Sequence, residues 1–397
     1  MGVDAFEISV NLAKMIFIFV MMVNAVPLLV WVERRGSAFI QNRYGPNRVG
    51  PLGLVQLLAD AVKFIFKEEF VPGKGHQLVF YLAPVVALIP GALAFAAIPL
   101  SMPFELAEFT QIPLGFMTID LGETYGPYRF AVQGYEIGIG IVFVLGVSSL
   151  AAYALLMAGW GSANKYSLYG ALRASAQTIS YELALGLSLV GILLLFNTFN
   201  FKEIVEAQNQ GLNFAFLGQA MSVPYLPNWG IIYQPVGAII FFAAMFAETN
   251  RLPFDLPEAE AELVAGYHTE YGGIKMNMFY IGEYGHMLVA SALMVTFYFG
   301  GYSLYPLLTQ ESVSLFLSET MGLSENPTAI LTSVVFLHVF LVKLIFFLWI
   351  FIHVRWTLPR FRYDQLMDLG WKTMLPWALG NTILTAVVIL IMRTNWS

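Results

Sequence analysis

Cysteine is absent from all 397 residues. That excludes disulfides and protein-thiolate iron–sulfur ligation within this chain. Any such electron carrier it works with must sit on a partner or be a diffusible molecule. Charge is scarce as well: 12% of residues are Asp, Glu, Lys or Arg, half the ~25% usual in soluble domains. The net charge is −6 and the basic residues form no single patch, so no nucleic-acid partner is expected. A cleavable leader is not expected either. The first basic residue, Lys14, already lies inside an apolar run, and no small-residue cleavage site follows. Internal repeats are missing, and with them the inverted-repeat signature of secondary transporters.

What fills the chain instead is apolar: 58% of residues are hydrophobic. Runs of about 20 residues are long enough to cross a 30 Å hydrocarbon core as helices and too long for the alternating strands of a barrel. Eight spans are predicted, at 11–32, 78–100, 137–159, 175–196, 231–247, 284–305, 330–353 and 374–392, the fifth being marginal in length. The expected fold is therefore all-α, one polytopic membrane domain over 1–397. Fifteen of the 20 basic residues fall in the connections 33–77, 160–174, 248–283 and 354–373. The positive-inside rule makes these the cytoplasmic loops of a multi-pass membrane protein and puts both termini outside. The long segments 101–136 and 197–230 are then outer loops. In the first cytoplasmic loop, Gln56, Asp60, Lys63 and Lys67 draw a polar stripe along an otherwise apolar helix. An amphipathic helix lies there, either in the membrane interface or against a partner.

The segment 247–273, AETNRLPFDLPEAEAELVAGYHTEYGG, stands apart. It carries Glu248, Asp255, Glu258, Glu260, Glu262 and Glu270 against Arg251 and His268. Asp255 with Glu258 three residues on reads as a helix cap, and on that helix Glu258 and Glu262 share a face while Glu260 points away. Ionisable groups within the spans are costly, at about 2.5–3.5 kcal/mol each on insertion scales, and usually face a partner or a wet cavity. Glu182 is the deepest of the carboxylates. Glu136, Glu248 and Glu283 sit near span ends, where they are either solvated or part of a buried path. His338 and Lys343 read as interhelical hydrogen-bonding groups. Several buried carboxylates close together exchange protons as a coupled set, which is what a proton relay requires.

Four blocks carry a family resemblance: ERRGSAFIQNRYGPNRVGP with LLADAVKFIFKE, AGWGSANKYSLYGALRASAQTISYE, ETNRLPFDLPEAEAELVAGYHTEY, and FIHVRWTLPRFRYDQLMDLGWK. In these the chain resembles the NuoH family, the quinone-site membrane subunit of proton-pumping NADH:quinone oxidoreductase (respiratory complex I). The resemblance implies a subunit of that enzyme with no complete active site of its own. Its substrate would be a quinone, ubiquinone or menaquinone, with no flavin, iron–sulfur cluster or metal in this chain. Its partners would be the peripheral-arm quinone-site subunits, the other membrane-arm subunits and membrane lipid. Matched motif by motif, Arg34 and Arg35 would border the quinone entrance, and Arg251, Phe254, Asp255, Glu258, Glu260 and Glu262 would lie at the quinone chamber. Asp60, Glu136, Tyr181, Glu182, Glu248, Glu283 and Tyr284 would form the acidic proton path. The chain departs from the family at Glu136, where Asp is common, at Gly282-Glu283-Tyr284, where AEY is common, and in the length of its outer loops. Two other readings compete: the homologous subunit of a membrane-bound hydrogenase, which uses no quinone, and a stand-alone ion transporter.

Overall fold

A computed structural model describes residues 5–106, 109–113, 118–125, 128–216, 219–255 and 265–394. In chain order its helices are α1 (Ala5–Ile40), α2 (Gln56–Phe66), α3 (Gln77–Ala96), α4 (Gly140–Ser148), α5 (Leu150–Gly161), α6 (Lys165–Phe196) and α7 (Phe201–Gln208). There follow α8 (Gly230–Tyr233), α9 (Pro235–Glu248), α10 (Gly273–Tyr298), α11 (Gln310–Leu315), α12 (Glu325–Thr357), α13 (Tyr363–Asp368) and α14 (Leu375–Thr394). The all-α membrane architecture expected from the apolar runs holds. Among the described residues, seven helical stretches are long and apolar enough to cross a membrane, with α4 and α5 counting together as one. The fifth expected span is the exception. Its helix α9 has 14 residues, a length of ~21 Å at 1.5 Å per residue, short of a 30 Å core. Pro235, which has no N–H to donate, separates it from α8.

Several helices outrun the apolar runs that announced them. Helix α1 continues to Ile40, so Glu33, Arg34 and Arg35 stand on its last turns and not in a loop. Helix α6 begins at Lys165, ten residues before its apolar run. Polar residues can extend a helix beyond the hydrocarbon once neighbours pack against it, which hydropathy alone does not register.

The core is centred on α10. Of its apolar stretch 72% is buried, against 17% for α1 and for the C-terminal stretch, which places those two at the periphery. Glycine permits the close approach of α3 and α10. Gly91 of α3 faces the backbone of Gly285 and His286, and a Cβ on Gly282 would come within 2.8 Å of the Ala87 carbonyl oxygen. Lys343 of α12 donates from Nζ to the carbonyls of Phe299 (2.7 Å), Gly301 (3.0 Å) and Ser303 (2.5 Å). It thus satisfies three carbonyls of the turn that follows α10, where a cation also complements the helix dipole.

The segments expected as featureless outer loops contain short antiparallel ribbons: β1 (Phe104–Leu106) with β4 (Tyr128–Phe130), β2 (Phe109–Pro113) with β3 (Thr118–Tyr125), and β5 (Gly211–Phe216) with β6 (Gln219–Pro227). The expected amphipathic helix is α2. None of its residues is buried, and Leu58, Val62, Ile65 and Phe66 expose an apolar face, as a helix seated in a membrane interface or on a partner does.

Candidate functional site

The site begins with how α9 ends. Thr249 is its last half-helical residue and Asn250 takes a left-handed conformation (φ 51°). The Arg251 amide then reaches back to the Phe246 carbonyl (3.2 Å) and the Asn250 amide to that of Ala247 (3.4 Å), the pair of bonds that closes a helix around a left-handed residue. Asn tolerates that conformation because its short amide bonds locally. The turn delivers Arg251 into the protein, where its side chain is only 14% exposed.

Two carboxylates meet it there. Arg251 Nη1 lies 3.8 Å from Glu33 Oε2, and Nη2 lies 4.0 Å from Glu283 Oε2. Its guanidinium carbon sits 4.0 Å over the Tyr284 ring, a cation–π contact. Glu33 also accepts a hydrogen bond from the Tyr284 hydroxyl (2.8 Å) and pairs with Arg355 at the end of α12. Glu283 accepts a 2.6 Å bond from the Tyr267 hydroxyl. The result is a continuous chain, Arg355–Glu33–Arg251–Glu283–Tyr267. Its members come from α12, α1, the turn after α9, α10 and the Gly266–His268 turn.

On the Glu33 side opens a cavity of about 760 Å3, inside the ~300–1,000 Å3 range of ligand pockets. Val26, Pro27 and Val30 of α1, Leu57 and Phe64 of α2 and Ile281 of α10 make an apolar wall. Glu33, Arg34, Arg43, Asp60, Tyr280 and Arg355 supply polar groups. Arg34 Nη1 is 2.5 Å from Asp60 Oδ2, and Gln56 Nε2 donates to Asp60 Oδ1 at 3.0 Å, so α2 is tied to α1 across the cavity. On the Glu283 side lies a second, much smaller cavity, of about 30 Å3, lined by Glu248, Glu283, Tyr267 and His286 among others. Glu248 lies within hydrogen-bond reach of Ser148 and within electrostatic range of Glu182.

The candidate residues from the sequence separate accordingly. Arg34, Asp60 and Tyr284 line the large cavity; Glu248 and Glu283 line the small one; Arg251 stands between them. Arg35 lines neither. Its Nη1 bonds the Leu52 carbonyl (3.0 Å) and its guanidinium lies over Trp31, fastening the turn that follows α1. Phe254 is buried against Tyr181 (ring centroids 5.5 Å apart) and Phe361, and the Tyr181 hydroxyl donates to the Leu366 carbonyl. Asp255 pairs with Arg360 at 3.1 Å. These contacts bind the turn after α9 to α6 and to the segment ahead of α13. Gln177 of α6 completes the clamp, donating from Nε2 to the carbonyls of Ala247 and Phe254, both at 2.8 Å. Glu136 does not join the other carboxylates: it is exposed and lies 3.8 Å from Lys202. Glu258, Glu260 and Glu262, with the helix cap expected at Asp255–Glu258, lie outside the described residues.

Glu33, Tyr267, Arg355, Gln177 and His286 escaped the sequence reading. For Glu33 a signal existed, since it begins the same ERR block that drew attention to Arg34 and Arg35. Just ahead of α10, Tyr271 stacks on Phe80 with centroids 4.2 Å apart and donates to the Phe80 carbonyl. Burial pushes its phenol upward, so it stays a neutral donor.

Fold and site together define a polytopic helical membrane protein with an amphiphilic cavity whose polar wall is joined through Arg251 to a further carboxylate. Residues 13–386 match the NADH dehydrogenase family. Over 98% of its own length and 99% of the relative's, the chain is 63% identical to the H subunit of the NADH-quinone oxidoreductase of Bdellovibrio bacteriovorus. It is 43% identical to the corresponding H subunit of Salinibacter ruber (92% of each chain) and 41% identical to NADH-quinone oxidoreductase subunit 8 of Rhodothermus marinus (91% of each). The chain belongs to the NADH dehydrogenase family, as one of its NuoH members.

Proposed function

We propose that this chain forms the membrane end of a quinone chamber in respiratory complex I and passes the effect of quinone chemistry to a proton path of buried carboxylates. One observation carries the proposal: Arg251 bridges Glu33, in the wall of the large cavity, and Glu283, in the wall of the small one. The large cavity suits a quinone, whose apolar tail matches the wall of Val26, Val30 and Phe64 and whose polar head matches Arg34, Asp60, Tyr280 and Arg355. Reduction of a quinone consumes protons along with electrons and so changes the charge beside Glu33. A guanidinium held between two carboxylates responds by shifting toward the more negative of them. Glu283 then gains or loses its counter-charge, and with it the tendency to hold a proton. Glu248 and Glu182 continue the path. Gln177, Phe254 and Asp255 position the turn that carries Arg251, and the segment holding Glu258, Glu260 and Glu262 completes the chamber.

On this reading the electrons come from the peripheral-arm subunits, docked on the side of the 33–77 and 248–283 connections. That side faces the cytoplasm of a bacterium and both termini face outward, with α8 and α9 together making the eighth crossing. A hydrogenase subunit that uses no quinone has no need of an amphiphilic chamber of this size. The test is to introduce Glu182→Gln and Glu248→Gln singly into the complex in its native membranes. Both variants should assemble and lose most proton translocation and coupled quinone reduction. Full coupled activity in both would remove these residues from the path and overturn the proposal.

A further inference from the structure

We propose that His286 is a proton-relay residue connecting Glu283 to Glu248 through the small cavity; this rests on the proton path proposed above. His286 lies on α10 one turn beyond Glu283, so the two occupy the same face. It is 91% buried, with a relative exposure of 9%, and its Nε2 has no hydrogen-bond partner among the described residues. A buried polar nitrogen without a partner is uncommon and calls for an explanation. The small cavity supplies one. His286, Glu283 and Glu248 all line it, and its volume of about 30 Å3 exceeds the roughly 10–15 Å3 that a water needs. The remaining polar lining, Thr178, Thr249, Asn250 and Tyr267, offers such a water its further bonds.

Imidazole is the side chain best able to take up and return a proton near neutral pH. The step balances as follows. The Glu283 carboxyl O–H breaks as a proton moves over a water held in the cavity to His286 Nε2, leaving carboxylate and imidazolium. The same N–H then breaks as the proton passes to the Glu248 carboxylate, which becomes a carboxyl group, and the imidazole is neutral again. A buried imidazolium persists only beside an ionised carboxylate, so His286 carries the proton without storing it. Among the described residues, the ionisable groups that face it across the cavity are few. Glu283 comes from its own helix, Glu248 from α9 and Tyr267 from the Gly266–His268 turn, while α3 and α5 contribute only Ala87, Ala151 and Leu155 to the cavity.

The experiment uses the assembled complex in native membranes with His286→Asn and His286→Met, and Glu248→Gln as the control. Asn keeps a polar group that cannot ionise; Met approximates the volume without polarity. Both should lower proton translocation coupled to quinone reduction at least tenfold and flatten its pH profile between pH 5 and 8, with the quinone KM unchanged. A packing role would be rescued by Met and would leave the pH profile alone. Wild-type translocation and pH profile in either variant overturns the relay. If Glu248→Gln fails to pump while a His286 variant pumps normally, the path stands and only the histidine is wrong. If Glu248→Gln also pumps normally, the path itself is wrong.

Discussion

Tyr284 holds Glu33 with its hydroxyl and Arg251 with its ring: the O–H donates to Glu33 Oε2 at 2.8 Å while the guanidinium carbon sits 4.0 Å above the aromatic face. One side chain thereby fixes the relative position of an acid and a base that are 3.8 Å apart. The two functions can be separated by mutation.

Tyr284→Phe keeps the ring and removes the hydrogen bond. A hydrogen bond to a charged group contributes about 1.5–3 kcal/mol, and Glu33 retains both its arginines. The complex should assemble and melt slightly lower, while the KM for quinone rises several-fold because Glu33 is less well oriented in the chamber wall. Steady-state kinetics over a quinone concentration series checks this. Wild-type KM would show that the hydroxyl does not position the acid.

Arg251→Met leaves Glu33 with Arg355 but takes away the guanidinium that faces Glu283. Breaking one side of a buried pair costs about 3–5 kcal/mol because the other charge stays behind. The membrane-bound complex should melt several degrees lower, and quinone reduction should lose its coupling to proton translocation. Arg251→Lys restores the charge without the planar fork that reaches two carboxylates, so it should recover the stability and only part of the coupling. Thermal inactivation and proton uptake per quinone reduced, measured side by side, distinguish the two.

Gln177→Leu removes the clamp between α6 and the turn that carries Arg251. Two buried backbone acceptors, the Ala247 and Phe254 carbonyls, lose a donor, at roughly 1 kcal/mol or more each. Amide hydrogen exchange at 247–255 should quicken tenfold or more while α10 keeps its protection. Unchanged exchange would mean that the Arg360–Asp255 pair and the Phe254 packing hold the turn unaided.

How far the site could be read in the chain depends on how its residues are connected. Arg34, Arg251, Glu248 and Glu283 announce themselves because charge next to an apolar run is costly wherever it occurs, and that cost is local. Glu33 does not, because it meets Tyr284 across 251 positions. Gln177 is an ordinary polar residue within a helix until it meets the turn 70 to 77 residues later. Arg35, Phe254 and Asp255 sit in the same motifs, yet their contacts run to the Leu52 carbonyl, to Tyr181 and to Arg360 respectively and to neither cavity. Motif membership does not reveal that difference in duty.

The amino-acid sequence by itself determined the solvent this protein lives in, its helical class and the supply of carboxylates beside its apolar runs. All of these follow from transfer free energies summed over about 20 residues, which need no knowledge of neighbours. Tertiary structure alone decided that the acids fall into two compartments, one of about 760 Å3 and one of about 30 Å3, with Arg251 at the partition. Helix packing set that division, through the close approach of α3 and α10 at glycine and through a left-handed Asn250 that turns the chain inward. Electrostatic coupling falls steeply with distance and rises with burial, so which acids act together is a property of the packed molecule.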